Sequence, residues 1–195
     1  MAKAIISVYD KTGIVDFSSS LTGLGYEIIS SGGTARLLEE HKINVTSVSD
    51  FTHSPEMLDG RVKTLHPKIY AGILSDRDND THRNEIEKLG YDFIDMVVVN
   101  LYPFEETVAK SDVTLDMAIE QIDIGGVTLI RAAAKNFKHV IIVTDISDYN
   151  MIIEKLKKFK KIDLKTKKQL AVKAFKHTML YDKAISNFLE AYIID

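Results

Sequence analysis

The segment Asp95–Phe104, DMVVVNLYPF, decides the fold. Met96 to Val99 form an unbroken apolar run, and its β-branched valines favour extended backbone. A strand with one wet face would alternate apolar and polar side chains. This run has no polar face, so the strand is covered on both sides, as in a parallel sheet between helices. Asn100, Leu101 and Tyr102 end the strand, and Pro103 stops it. Polar groups at the end of a buried strand need partners, either a neighbouring backbone or a ligand.

Working outward, similar apolar segments occur at Ala4–Val8, Tyr26–Ile29, Asn44–Val48, Ile69–Leu74 and His139–Thr144, and each is read as a strand. Helix-period stretches fall between or after them: Ile14–Leu24, Thr34–His41, Thr114–Asp123, Gly125–Asn136 and Ser147–Lys158. Strands alternating with helices predict an α/β fold with a parallel sheet between helical layers. On this reading residues 1–145 form the core and residues 146–195 a C-terminal helical extension. From Lys165 onward the pattern predicts one or two helices outside the α/β core.

In open parallel sheets ligands bind beyond the carboxyl ends of the strands. The first strand ends in SVYDKTG, which places Tyr9, Asp10 and Lys11 there. The second ends in SSGGT, Ser30 to Thr34. Gly32 and Gly33 let backbone N–H groups approach an anion without a Cβ in the way. A following helix N-terminus adds free donors and positive dipole. Lys11 could then supply full charge to a phosphate held by the Ser31–Thr34 turn. The plain alternative is a tight turn with Thr34 as helix cap, beside a surface lysine. GRVKTLHP brings Arg61, Val62, Lys63 and Thr64 together before His66 and Pro67. In an extended segment residues 61 and 63 point to one side. Two such cations repel unless an anion lies between them; separate surface charges are the alternative. In EQIDIGGVTLIRAAAKN, Asp123 and Ile124 precede a second glycine pair that opens a helix, and Lys135 closes it. Asp123 could equally be a helix cap, and Lys135 a favourable charge at a helix C-terminus.

Composition narrows the function classes. The chain has 195 residues, a net charge of −3 and no cysteine, which removes disulfides, thiolate nucleophiles and cysteine zinc sites. The six histidines show no metal-ligand spacing, so no metal is expected. The tract Lys155–Lys168 holds eight lysines but only one aromatic, Phe159, and no arginine. It is read as a solvated helix end, so no nucleic-acid partner is expected. No apolar run approaches the length of a membrane span, and MAKAIISVYDKTG lacks the features of a signal peptide. The expectation is a cytoplasmic protein without a membrane partner.

Together and in order, SVYDKTG, SSGGT, GRVKTLHP, NLYPF, EQIDIGGVTLIRAAAKN and AFKHTMLYD resemble one family. It is the IMP cyclohydrolase domain of the bifunctional purine-biosynthesis enzyme that also carries AICAR transformylase. The resemblance implies a methylglyoxal-synthase-like three-layer fold. It implies closure of 5-formamidoimidazole-4-carboxamide ribotide (FAICAR) to IMP with loss of water, without a cofactor. The family's nucleotide contacts fall on Tyr9–Lys11, Ser31–Thr34, Arg61–Thr64, Val99–Asn100 and Asp123–Ile124. Its catalytic lysine falls on Lys135, supported by Lys63, Tyr102 and Asp123. The transformylase domain has no counterpart in this chain and is an expected partner; the homodimer of the family rests largely on that domain, which leaves oligomeric state open. The alternatives on the same fold are a methylglyoxal-synthase-like lyase and a nucleotide-sensing regulatory domain.

Overall fold

The computed structural model describes residues 1–102, 104–108 and 113–192. Pro103, expected to stop the fourth strand, and the last three residues of the expected C-terminal helix lie outside the described residues.

Five strands form one all-parallel sheet: β1 (Ala2–Val8), β2 (Tyr26–Ser30), β3 (Val45–Ser47), β4 (Met96–Asn100) and β5 (Ile141–Val143). Their order is β3-β2-β1-β4-β5. The direction of strand progression therefore reverses between β1 and β4, the position where open α/β sheets bind ligands. There Val8 stands in register with Asn100. The sheet interior is dry. Ala4, Ile5 and Ile6 of β1 and Met96 to Val99 of β4 are all buried, as the unbroken apolar run requires. Each large aliphatic side chain so buried contributes about 1.5–3 kcal/mol.

Helices α1 (Ile14–Gly23), α2 (Gly32–Glu40), α3 (Val48–Thr52), α4 (Pro67–Leu74), α5 (Asp80–Lys88), α6 (Phe104–Val108), α7 (Leu115–Glu120), α8 (Gly125–Lys135), α9 (Tyr149–Phe159) and α10 (Leu164–Ala191) cover and edge the sheet. α1 and α9 pack together through stacked rings of Phe17 and Tyr149, 4.2 Å apart. On α8, Ala132, Ala133 and Ala134 are buried, and their small size lets the helix lie close on β4 and β5.

Two sequence readings change. Ile69–Leu74, expected as a strand, belongs to α4. Pro67 occupies the first turn, where its missing N–H costs nothing, and His66 Nδ1 caps by accepting from Lys68 N–H at 3.1 Å. The buried positions Ile69, Gly72 and Ile73 then follow helical spacing. The C-terminal segment expected outside the core is a single helix, α10, capped by Asp163. Its buried stripe of Leu170, Ala171, Ala174, Tyr181 and Ala184 lies in the same hydrophobic cluster as the strands, against α8 and β5.

Candidate active site

All the candidate residues but Lys135 lie on segments at the carboxyl edge of the sheet around the β1–β4 reversal. Asn100, at the end of β4, laces that edge. Its Oδ1 accepts from Tyr9 N–H at 2.7 Å and Asp10 N–H at 3.0 Å, and its Nδ2 donates to Asp10 O at 2.9 Å. The strand-end asparagine is thus satisfied by a neighbouring backbone. The Asp10 carboxylate accepts from Thr12, and this holds its pKa below the usual carboxyl value. Val99 is buried and can offer only its backbone.

The second strand passes into α2 through Ser31, which is extended and serves as the helix cap in place of the expected Thr34. Gly32 has a φ of 58°, a left-handed conformation that disfavours side chains. Thr34 is buried, and its hydroxyl donates to Val8 O at 3.1 Å and accepts from Val8 N–H at 3.2 Å. It welds the turn to β1, so its hydroxyl is not a free donor for a ligand. Two lysines lie against this turn. A β-carbon at Gly32 would stand 3.2 Å from Lys63 Nζ, and one at Gly33 would stand 3.6 Å from Lys11 Cε. A helix N-terminus and two ammonium groups at one glycine turn are the features of a candidate anion site.

Arg61 to Thr64 do not form the expected extended segment. They lie in a turn closed by Lys63 N–H to Gly60 O at 3.2 Å and Leu65 N–H to Val62 O at 2.9 Å. The turn sends the two cations apart. Arg61 pairs with Glu120 of α7 at 2.5 Å, largely exposed, while Lys63 reaches Gly32. Leu58, Asp59 and Gly60, just before it, all have φ between 51° and 83°, a concentration of backbone strain typical of functional loops. Thr64 is buried, and its Oγ1 would lie 2.8 Å from a β-carbon on Gly125.

Asp123 completes the cluster. Its Oδ1 accepts from Gly126 N–H at 2.7 Å at the start of α8, so the cap and site readings coexist. A β-carbon on Gly126 would overlap this carboxylate and come 2.9 Å from Leu101 Cδ2. Burial raises the Asp123 pKa, opposed by the Gly126 and Gly125 amides and by the nearby Lys63 cation. Ile124 is exposed beside it. Tyr102 packs against Tyr9 with the rings tilted and their centroids 4.5 Å apart.

Lys135 is not brought to this cluster. It ends the helix that Gly125 begins, ten residues away or about 15 Å along the axis. The next residue, Asn136, donates to Ile73 O at 2.7 Å and Ser75 O at 2.9 Å, past the end of α4. The cause is topological: a helix joining parallel strands β4 and β5 must run back across the sheet. Its start lies at the ligand edge and its end at the other.

Sequence reasoning missed a groove of about 800 Å³ on the β5 side of the same edge. It shares Tyr9, Asp10, Lys11, Asn100 and Leu101 with the cluster and adds Thr144, Asp145, Ile146, Lys173 and His177. The glycine turn and the Lys63 amine lie on the β2 side instead. Lys173 is held by Asp145 and Asp148, at 2.7 Å each, and the Lys173 bond lowers the Asp145 pKa to about 2. Burial lowers the His177 pKa, and its Nε2 has no hydrogen-bond partner among the described residues. Asp76 and Asp78, both exposed, form a separate group with the half-buried His139 at the opposite edge of the sheet. Among the described residues no helix is long and apolar enough to cross a membrane.

Comparisons with known proteins agree with this architecture. The MGS-like domain family model matches residues 13–128, and the AICARFT/IMPCHase bienzyme model matches residues 133–194. The bifunctional purine biosynthesis protein PurH of Thermoanaerobacter sp. is 55% identical over 96% of this chain, and that of Staphylococcus epidermidis is 54% identical over 97%. The chain spans only 37% and 38% of the length of those two relatives. The crystal structure of ForH is 31% identical, with a TM-score of 0.84 over 95% of this chain and 97% of its own. The chain belongs to the MGS-like domain family, continued after residue 132 by a match to the AICARFT/IMPCHase bienzyme family.

Proposed function

We propose that this chain is an IMP cyclohydrolase that closes FAICAR to IMP with loss of water, the last step of purine ribotide synthesis. The observation that carries the reading is the meeting of Lys11 and Lys63 at one glycine turn, with Asp123 close enough to feel the Lys63 charge. The PurH name of its relatives and the bienzyme match support the same assignment.

The ribotide phosphate sits on the Gly32–Gly33 turn between the Lys11 and Lys63 amines. The base lies toward Tyr102, Asp123 and the start of α8. Ring closure joins the carboxamide nitrogen to the formyl carbon. The nitrogen loses a proton, and the formyl oxygen gains one to become a hydroxyl. That hydroxyl then leaves as water as the formamido nitrogen loses its proton and forms the C=N bond to the same carbon. Both reacting groups belong to one molecule, so the protein's first contribution is to hold them in attack geometry. Lys63, whose charge reaches Asp123, is assigned to stabilise the charge that develops on the formyl oxygen. The Gly126 amide, otherwise a candidate for that role, is already bonded to Asp123. Asp123, with a raised pKa, is suited to orient the carboxamide and accept its proton. Lys135 has no contact with the ribotide in a single chain. An AICAR transformylase partner would supply the formylated substrate in the cytoplasm, and homodimerisation belongs to the same proposal.

The test is an absorbance assay for IMP formation from FAICAR, beside one for methylglyoxal from dihydroxyacetone phosphate. Turnover of the first alone supports the proposal. Methylglyoxal formation, or tight IMP binding without turnover, would replace it with a lyase or a nucleotide sensor.

A further inference from the structure

The link from Gln121 to Asp123 is a short bend between α7 and α8, and it carries the carboxylate assigned to ring closure. Its backbone is not held by α7 or α8 alone. Tyr181, on α10 and 58 residues further along, accepts from Asp123 N–H at 2.7 Å through its hydroxyl. The same hydroxyl donates to Gln121 O at 3.2 Å. One buried oxygen therefore satisfies a donor and an acceptor on either side of the bend. The ring works separately. It meets Phe104 edge-on, with centroids 6.2 Å apart. Phe104 is buried, and its N–H donates to Tyr102 O at 2.8 Å. The loops bearing Asp123 and Tyr102 thus share one support, and that support comes from the C-terminal helix.

We propose that Tyr181 is a positioning residue for the ring closure, its hydroxyl fixing the Asp123 peptide and its ring bracing the segment that carries Tyr102. This rests on the cyclohydrolase reading of the site. It gives α10 a functional task in addition to covering β5: without Tyr181, Asp123 keeps its bond to Gly126 but loses the anchor of its own backbone. Displacement of a reacting group by a fraction of an ångström to 1 Å can cost up to about a hundredfold in rate.

The experiment uses the full chain carrying Tyr181→Phe, which keeps the ring and removes the hydroxyl. Two readouts are taken beside the melting temperature: steady-state kinetics with FAICAR, and amide hydrogen exchange followed by NMR. The expected result is a kcat lowered about tenfold or more with KM within about twofold. The Asp123 amide should exchange at least about tenfold faster, while Val97 and Val98 in β4 stay unchanged. Incorporation of 4-aminophenylalanine at this position, which keeps a donor toward Gln121 O but accepts only weakly from Asp123 N–H, should also lower kcat, and it serves if the phenylalanine variant folds poorly. An unchanged kcat and unchanged exchange at Asp123 would overturn the inference. So would a kcat loss that is matched by a proportional rise in KM and uniform acceleration of exchange across β4. A wild-type chain inert toward FAICAR would instead overturn the cyclohydrolase reading, and the exchange at Asp123 would still decide whether Tyr181 holds the bend.

Discussion

The amine of Lys63 stands against Gly32, 3.2 Å from where a β-carbon on that glycine would be. A residue from the segment between α3 and α4 thereby reaches the turn after β2, beside Lys11 and within electrostatic range of Asp123. The contact joins the phosphate end of the proposed site to its reacting end, and the predictions below depend on it.

Gly32→Ala tests the contact itself. The substitution places a side chain in the left-handed region, at about 1–2 kcal/mol, and pushes on the Lys63 amine. Thermal melting should register the strain, and calorimetry should show IMP affinity lowered about tenfold or more. Unchanged affinity in a folded variant would mean that the glycine turn does not hold the phosphate.

The two lysines should differ in kinetic signature. Lys11 lies against the turn, its amine also donating to Tyr9 O at 3.2 Å, so Lys11→Ala should act mainly on KM, by about tenfold, the loss of one charged hydrogen bond. Lys63 also faces Asp123, so Lys63→Ala should lower kcat by about a hundredfold or more. Equal effects of both variants on KM alone would assign Lys63 to binding only.

Asp123→Asn should separate stability from activity. Burial raises the folded-state pKa of Asp123 above 3.8, the value taken for an unfolded aspartate. As pH rises through the interval between these values, the unfolded chain loses its proton first, and the folded state becomes relatively less stable. The penalty persists above the raised pKa. Asparagine has no proton to lose and can still accept from Gly126. Melting at pH 7 should therefore be equal to or higher than wild type, and the advantage should vanish below the ordinary carboxyl pKa. Ring closure should fall sharply. A variant less stable than wild type at neutral pH but equal to it in acid would contradict the sign.

Lys135→Ala should leave IMP affinity within about twofold, because the side chain starts about 15 Å from the Gly125 end of α8. Calorimetry on the full chain reads this directly. A loss of affinity comparable to that of Lys63→Ala would place the residue 135 amine at the bound nucleotide.

Much of this was legible in the sequence, and the failures have physical causes. The valines of Met96–Asn100 announce a strand buried on both faces, and the sheet is built around it. Ile69–Leu74 misleads because a short apolar run fits strand and helix alike; the start at His66–Pro67 decides, through a cap and a first-turn proline. Arg61 and Lys63 were placed on one side by assuming extended backbone, whereas a turn at Gly60 sends them to different partners. The motif holding Asp123 and Lys135 reads as one site along the chain. Its own helical pattern already separates the two residues by three turns, and the parallel crossover places them at opposite edges of the sheet. Tyr181 could not be found this way, because nothing in one sequence shows a hydroxyl meeting a peptide 58 residues earlier.

The most direct measurement is a crystal structure of the chain with IMP bound. The account predicts the phosphate on the Gly32–Gly33 turn, within hydrogen-bond distance of both the Lys11 and Lys63 amines, with the base beside Tyr102 and Asp123. A phosphate seated instead in the β5-side groove, near Lys173 and His177, with Lys63 still free, would contradict it.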